Sequence, residues 1–388
     1  MHTKMVKPYN RKLAQAISLA MLALAASQAQ AVNYTFSDLG TINGPYAGNA
    51  IAMGINNLGQ VVGYGGPSSN NVAFIWNGDT ATQLDTLPGS VKTYAYAIND
   101  TGHIAGFNDL YPAVDDGYPI RWDGITPTKL DTLGGGYATG AFAINNPGQL
   151  VGVSWSLDSQ SFHAARWDGT ALTELSTLGG VTGWALGIND SGQIAGQSTT
   201  AGEDAQHATL WNGSTPTDLG TLGGTNSTAA NINNAGQIVG FSYLADEATA
   251  HAVLWNGTTL TDLAALGGDG TVSYASDINN VGQIVGWSDV VTGNTHATIW
   301  EGSSLTDLNS YLPANLASSG WVLNYAYAIN DKGVIVGQAS NGLDPATALT
   351  AAFKLTPTTV PVPGAVWLFG SALAGFVGMK RRKQPVTA

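Results

Sequence analysis

Four histidines, His163, His207, His251 and His296, each stand four residues ahead of a tryptophan, at Trp167, Trp211, Trp255 and Trp300. Along an extended strand that spacing puts both side chains on one face, and imidazole is a common metal ligand. A metal centre needs its donors within about 2.3 Å of one ion, whereas these four recur at one position of separate repeat units. The pattern therefore favours a histidine that hydrogen bonds within its own unit. A second set of groups is acidic: Asp109, Asp115, Asp116, Asp158, Glu203, Asp204, Asp246, Glu247, Asp289 and Asp344 fall in segments that vary from unit to unit. Gathered on one rim, such carboxylates would recruit divalent cations such as Ca2+ and, through them, anionic polysaccharide. The plainer reading is solvated loops that keep the protein soluble.

Constellations for other chemistry are missing from the sequence. There is no cysteine, no Gly-x-Ser-x-Gly elbow, no phosphate loop and no zinc-type histidine pair at helical spacing. Glycoside hydrolysis needs two carboxylates roughly 5–10 Å apart, which the acidic loops could meet by chance. The sialidase-type Asp box shares only its Asp-x-Gly portion with the turns here, and a repeated Asn or Asp before Gly is first of all a turn former. An enzyme on a symmetric scaffold would break the repeat with a tight cluster of unique polar residues; the insertion "NDLYPAVDDGYPI" is the segment that does so most visibly.

The elements that must position these groups follow from an internal repeat. "INN" or "IND", then one residue and Gly, recurs at Ile55, Ile98, Ile144, Ile188, Ile232, Ile278 and Ile329, at spacings of 43 to 51 residues. "INNAGQIV" reads as strand, turn and strand, and "HAVLWNGTTLTDL" reads the same way around Asn256-Gly257, a strong hairpin signal. Four short strands in about 44 residues make a blade, and seven blades make a β-propeller. The opening "YTFSDLGTI" matches a fourth strand without its first three, while the last unit stops after three. The N-terminal strand should complete the last blade from outside, closing the ring and leaving no unpaired sheet edge there. The "YAYAI"-type segments then line the centre, where Ala52, Gly54, Ala95, Ala97, Ala141, Ala143 and Ala185 suit a crowded axis. Trp76, Trp122, Trp167, Trp211, Trp255 and Trp300 occupy one position of the third strand; sugar stacking is one role for them, but their regularity points to wedges between neighbouring sheets.

The chain has 388 residues, 50 of them glycine, and only 10 % are charged. It opens with a basic stretch (Lys4, Lys7, Arg11, Lys12), an apolar run and Ala29-Gln30-Ala31, the layout of a secretory signal peptide cleaved before Val32. Of 14 Lys and Arg, four lie there and four are Lys380, Arg381, Arg382 and Lys383, so six basic residues face all 26 Asp and Glu in the body. Such a surface excludes nucleic acid as a partner. Without disulfides, a large core must supply the stability.

On these residues the chain resembles the extracellular HAF-repeat family. The triplet stands here as "HAARW", "HATLW", "HAVLW" and "HATIW", followed by "DLGTLGG"-like segments and "INNxGQIVG", over nearly all of residues 34 to 356. The third letter departs from Phe in each, and "VAFIW", "YPIRW" and "TAAFK" lack the His. The resemblance implies an exported, propeller-like repeat protein and no activity. The end "VPVPGAVWLFGSALAGFVGMKRRK" resembles a PEP-CTERM sorting signal in a Val-Pro-x-Pro variant: Pro361, Val362 and Pro363, an apolar segment containing Trp367, then Lys380, Arg381, Arg382 and Lys383. Val362 stands where the name-giving Glu would be. The basic end would stay cytoplasmic, and an exosortase-type enzyme would cut near the motif.

The expected organisation is thus a signal peptide at 1–31, an all-β propeller at 32–356, a linker with the sorting motif at 357–363, a transmembrane sorting helix with basic end at 364–383, and a tail at 384–388. The expected function is an exported, non-enzymatic interaction scaffold of the cell surface or extracellular matrix, in an exopolysaccharide-associated layer, its precursor held transiently in the inner membrane. Its partners would be the export machinery, the sorting enzyme and extracellular polysaccharide, and no cofactor is indicated beyond the Ca2+ that the acidic rim would take. The alternative is a propeller enzyme or lectin acting on extracellular glycans.

Overall fold

The computed structural model describes residues 33–39, 49–66, 71–78, 80–110, 116–134, 140–202, 205–257, 259–341 and 349–358. They form seven four-stranded antiparallel sheets, the blades of a β-propeller. Blade 1 comprises Ala50–Ile55, Val61–Gly65, Val72–Asn77 and Thr80–Gln83, and blades 2 to 6 repeat that order outward from the axis. In blade 7, Trp321–Ile329, Ile335–Asn341 and Leu349–Thr358 are followed on the outside by Asn33–Asp38, so the N-terminal strand closes the ring as the repeat count required. The Leu39 amide extends the closure by donating to the Ala352 carbonyl at 2.8 Å.

Residues Thr35–Thr356 form one compact unit. A second unit, residues 1–34 with 357–388, is described at Asn33, Tyr34, Pro357 and Thr358, where the Thr358 hydroxyl donates to the Asn33 carbonyl at 3.1 Å. The signal peptide with Ala29 and Ala31 lies outside the described residues, as do Pro361, Val362, Pro363, Trp367, Lys380, Arg381, Arg382 and Lys383. Among the described residues no helix is long and apolar enough to cross a membrane.

Apolar packing lies between blades rather than within them. Val62, Ala73, Ile75 and Leu84 of blade 1 meet Ala95, Ile98, Ile104, Ile120 and Trp122 of blade 2. At the seam, Ala328, Val336 and Ala352 of blade 7 and Leu39 pack on Ala52, Val61 and Trp76 of blade 1 in the same way. The six repeated tryptophans are at most 2 % exposed, which settles them as wedges. Four of the indole N–H groups also cross the junction: Trp122, Trp167, Trp211 and Trp255 donate to the carbonyls of Asp85, Asp131, Ser176 and Leu219 of the preceding connection at 2.7–2.9 Å, whereas that of Trp300 is buried without a partner.

Two closed rings of hydrogen bonds join the blades at the "INN/IND" turns. Asn56 Nδ2 donates to the Asn99 carbonyl, Asn99 to Asn145, Asn145 to Asn189, Asn189 to Asn233, Asn233 to Asn279, Asn279 to Asn330 and Asn330 back to Asn56, all at 2.9–3.1 Å. All seven asparagines are buried, and each Oδ1 accepts the amide four residues on in its own turn at 2.8–3.0 Å. One asparagine therefore shapes a turn and ties it to the next blade.

The following residue repeats the device. The amides of Asn57, Asp100, Asn146, Asp190, Asn234, Asn280 and Asp331 each donate to the side-chain Oδ1 of the next member, ending with Asp331 on Asn57, at 2.7–2.9 Å. Three members are Asp, and each is flanked by Asn on both sides. Three is the most that a seven-membered ring can hold without placing two carboxylates side by side, where like charges would repel. Asn234 and Asn280 form the one Asn–Asn join that an odd ring requires.

Every blade also carries a β-bulge at the same point of its innermost strand, for example between Ala52 and Gly54, Ala95 and Ala97, and Ala275 and Asp277. The bulge drives a carbonyl toward the second strand, where "IVG" supplies a glycine. A Cβ on Gly240 would stand 1.9 Å from the Thr228 carbonyl oxygen, and six equivalent glycines meet carbonyls at 1.9–2.1 Å. Gly240→Ala should therefore destabilise the fold by about 3 kcal/mol, at the upper end for overpacking. Gly270→Ala, at a site with nothing within 4 Å of the new Cβ, should be neutral or slightly stabilising. Urea unfolding of the two variants checks the contrast.

Candidate functional site

Each bulge frees one residue from pairing, and these residues line the axis: Met53, Tyr96, Phe142, Leu186, Ala230, Ser276 and Tyr327. The channel they surround holds a cavity of about 470 Å³ that reaches the two amide rings at the turn face. This corrects the expectation of a small-residue axis. Ala52, Ala95, Ala141 and Ala185 are instead buried in the clusters between blades, because the bulge turns the strand there. Gly54, Ala97 and Ala143 do border the channel.

The channel is uneven. Five of the freed side chains are large, while Ala230 and Ser276 leave room beside a polar pair found in no other blade. Asn231 Nδ2 donates to Asp277 Oδ1 at 2.5 Å, and Asp277 also accepts the Ile278 amide on Oδ1 and the Ile329 amide on Oδ2, both at 2.8 Å. Gly187 makes space for this pair, since a Cβ there would stand 2.5 Å from Asn231 Oδ1. Three donors enclose the Asp277 carboxyl, although the residue keeps a partly exposed edge on the channel. Loss of hydration pushes its pKa up to about 6, against the pull of those hydrogen bonds, and Asp331 adds to the rise.

Toward the loop face, the end of the axis opposite the "INN/IND" turns where the second strand of each blade connects to the third, aromatic rings continue outward. One chain runs from Tyr64 through Tyr94, Tyr96 and Phe142 to Trp184, Phe162 and Trp155, with centroids 4.8–6.2 Å apart. A second runs from Tyr243 through Phe241, Tyr274, Trp287 and Tyr325 to Tyr327, at 4.0–6.1 Å. All of these rings are half-buried. Burial first, and neighbouring phenols second, raise the pKa of Tyr64, Tyr96 and Tyr327 above the ordinary phenol value and push Tyr274 up to about 12. These four phenols stay uncharged at neutral pH.

The repeated histidines bind carboxylates inside their own blades. His163, His207, His251 and His296 face Glu174, Asp218, Asp262 and Asp307 through Nδ1 at 2.5, 2.7, 2.8 and 2.6 Å. Burial alone would raise the Asp307 carboxyl, but hydrogen bonds from His296 and Asn309 outweigh it and hold the pKa below the usual value. The acidic partner lies 11 residues after each histidine, a spacing visible in the sequence but unread there. Among the described residues, no group of three or more His, Asp or Glu is placed to hold a metal ion.

Among the described residues, the acidic loop residues form no group of three or more placed to share an ion. Asp246 accepts the Ala248 and Thr249 amides and the Thr249 hydroxyl at 2.6–3.0 Å. Glu247 accepts the Thr225 hydroxyl and Asp289 that of Thr295. Asp109 lies opposite Lys92 in blade 2, and Asp158 is exposed in a turn of blade 3. Asp115, Glu203, Asp204 and Asp344 lie outside the described residues, as does the side chain of Asp116.

No family model and no curated protein sequence matches this chain. Solved structures do. The β-propeller domain of the Trilobed protease from Pyrococcus furiosus, described as having an open velcro topology, is similar with a TM-score of 0.52 at 11 % identity, over 68 % of this chain and 82 % of that one. A puromycin-hydrolyzing peptidase of Mycobacterium tuberculosis gives 0.51 at 13 % identity over 84 % of this chain, which spans only 55 % of that one. A TolB from Agrobacterium tumefaciens gives 0.44 at 12 % identity, over 62 % and 92 %. At such identities the likeness is one of fold alone.

The Asn231–Asp277 pair gives a pH prediction. A carboxyl whose pKa is higher folded than unfolded contributes stability that is full below the unfolded value, near 4, and is lost as pH rises through the folded value of about 6. The shift corresponds to roughly 1–3 kcal/mol once channel solvent is allowed for. The double variant Asn231→Ala/Asp277→Ala restores the small residues of the other blades and should lack this loss. The stability difference between wild type and variant, followed by chemical unfolding from pH 4 to pH 7, should therefore change by that amount.

Proposed function

We propose that this chain is an exported propeller that serves as an interaction scaffold of the cell surface or extracellular matrix. Its binding surface is the half-buried aromatic array around the loop-face end of the axis, and its partner is extracellular polysaccharide. That array carries the proposal. Aromatic faces pack against the apolar faces of sugar rings, and here they recur in nearly every blade beside amides such as Gln197 and Gln338 on the inner strands. A body with six basic against 26 acidic residues repels anionic polymers, which favours a neutral glycan. The leader and the Pro361–Pro363 segment support the exported reading, with removal of the leader and sorting through an exosortase-type enzyme.

A second reading, a glycan-active propeller enzyme, is favoured by one polar cluster in blade 3, taken up below. The scaffold reading predicts that the purified mature protein binds a neutral glucan in affinity electrophoresis. Trp184→Ala and Trp287→Ala should each weaken binding about tenfold, or 1.4 kcal/mol, with the β-sheet circular dichroism of wild type retained. Binding only to an anionic polymer, or tryptophan variants that bind like wild type, would overturn it. Mass spectrometry of the exported form should show a start at Val32 and an end near Pro361–Pro363, whereas an exported chain of full length contradicts the sorting scheme.

A further inference from the structure

Blade 3 breaks the repeat at its histidine. His163 Nδ1 meets Glu174 Oε1 at 2.5 Å, as its three counterparts meet an aspartate, but its Nε2 also lies 2.7 Å from Ser159 Oγ and 2.9 Å from Ser161 Oγ. Among the described residues, the other three histidines have no hydroxyl at Nε2, and that of His251 is buried without a partner. Ser161 Oγ is 2.8 Å from Ser159 Oγ and 3.4 Å from the Val181 carbonyl of blade 4. One assignment of protons satisfies the chain: Ser161 donates to Ser159, Ser159 to His163 Nε2, and His163 Nδ1–H to Glu174. Glu174 replaces the shorter aspartate of Asp218, Asp262 and Asp307.

The environment suits access. Ser159 is exposed in the turn between Leu150–Ser156 and Ser161–Asp168, beside Gln160 at φ 51°. His163 is mostly covered, with 13 % of its side chain exposed. Leu157, in the same turn as Ser159, and Val181, whose carbonyl faces Ser161 Oγ, are exposed apolar residues at 56 % and 52 %. Hydroxyl, imidazole and carboxylate in this order form the arrangement by which a base activates a serine.

We propose that Ser159, His163 and Glu174 form a nucleophilic relay that hydrolyses carboxylic esters with an apolar acyl group. Ser159 Oγ attacks the carbonyl carbon while its proton passes to His163 Nε2. The tetrahedral adduct collapses, the C–O bond to the leaving alcohol breaks, and the alcohol takes the proton from Nε2. Water, deprotonated by the same nitrogen, then cleaves the acyl-serine, releasing the carboxylic acid and restoring the Ser159 hydroxyl. Ser161, whose hydroxyl lies 2.8 Å from Ser159 Oγ, is a positioning residue that orients the nucleophile, and Glu174 is a positioning residue that holds the imidazole and steadies its cation. That the alcohol belongs to a sugar rests on the glycan reading above; the ester chemistry does not.

The test is labelling of the mature protein with a fluorophosphonate, peptide mapping of the adduct, and turnover of p-nitrophenyl butyrate. The label should sit on Ser159. His163→Ala should lower both labelling and turnover at least 100-fold with unchanged melting. Glu174→Gln should lower turnover and shift its pH profile, Glu174→Asp should recover part of it, and His207→Ala should do neither. No label, a label on another residue, or equal labelling of His163→Ala overturns the relay. Neutral-glucan binding that survives His163→Ala separates failure of the relay from failure of the scaffold.

Discussion

A ring of blades holds only if every junction is made, including the one at blade 7, whose outermost strand comes from the other end of the chain. Here a buried carboxamide makes each junction. Its oxygen closes the turn on its own blade and its nitrogen crosses to the next carbonyl, ending with Asn330 on Asn56 at 3.0 Å. A buried amide costs little when all its groups are paired and one to three kcal/mol when one is left over. The ring is therefore cooperative in its geometry: displacing one blade strands a donor there and an acceptor next door. The apolar wedges add the bulk of the burial, but they are not directional, and the amides fix the angle at which successive sheets meet.

The same logic sets the composition of the outer amide ring and the shape of the channel. Carboxylates appear where both neighbours can donate, so a charge at the axis always faces carboxamides. The seven bulges need seven glycines opposite, and in exchange one side chain per blade is released toward the axis. Where the released residue is aromatic, the loop-face array is continuous. Where it is small, at Ala230 and Ser276, Asn231 and Asp277 fill the opening with a local hydrogen-bond pair. The two sites proposed for function lie at the aromatic end of the axis and in the serine-rich turn of blade 3.

The sequence displayed the repeat, the four strands per unit, the closing N-terminal strand and the wedge role of the tryptophans, because each rests on local periodicity or on counting. It hid whatever depends on a partner one repeat away. Asn56 and its equivalents looked like turn formers only, since their second bond goes to a carbonyl 43 to 51 residues distant, or 274 at the seam. The choice between Asn and Asp carries no meaning in one unit and becomes an alternation only around the circle. The second glycine of "GQIVG" gave the bulge away in principle, but nothing on its own strand explains it. The histidine–carboxylate pairs were legible by spacing, whereas the serines of blade 3 meet His163 only because a turn folds them back onto it.

The central claim is that the seam between blades 7 and 1 is a junction like the others. The most direct measurement is the loss of unfolding free energy in Asn330→Ala, at the seam, beside Asn189→Ala, inside the ring, by urea denaturation under identical conditions. A closed ring predicts equal losses of about 2–3 kcal/mol. An Asn330→Ala loss smaller than the Asn189→Ala loss by the share of the inter-blade bond, about 1 kcal/mol or more, would mean that the blades do not close.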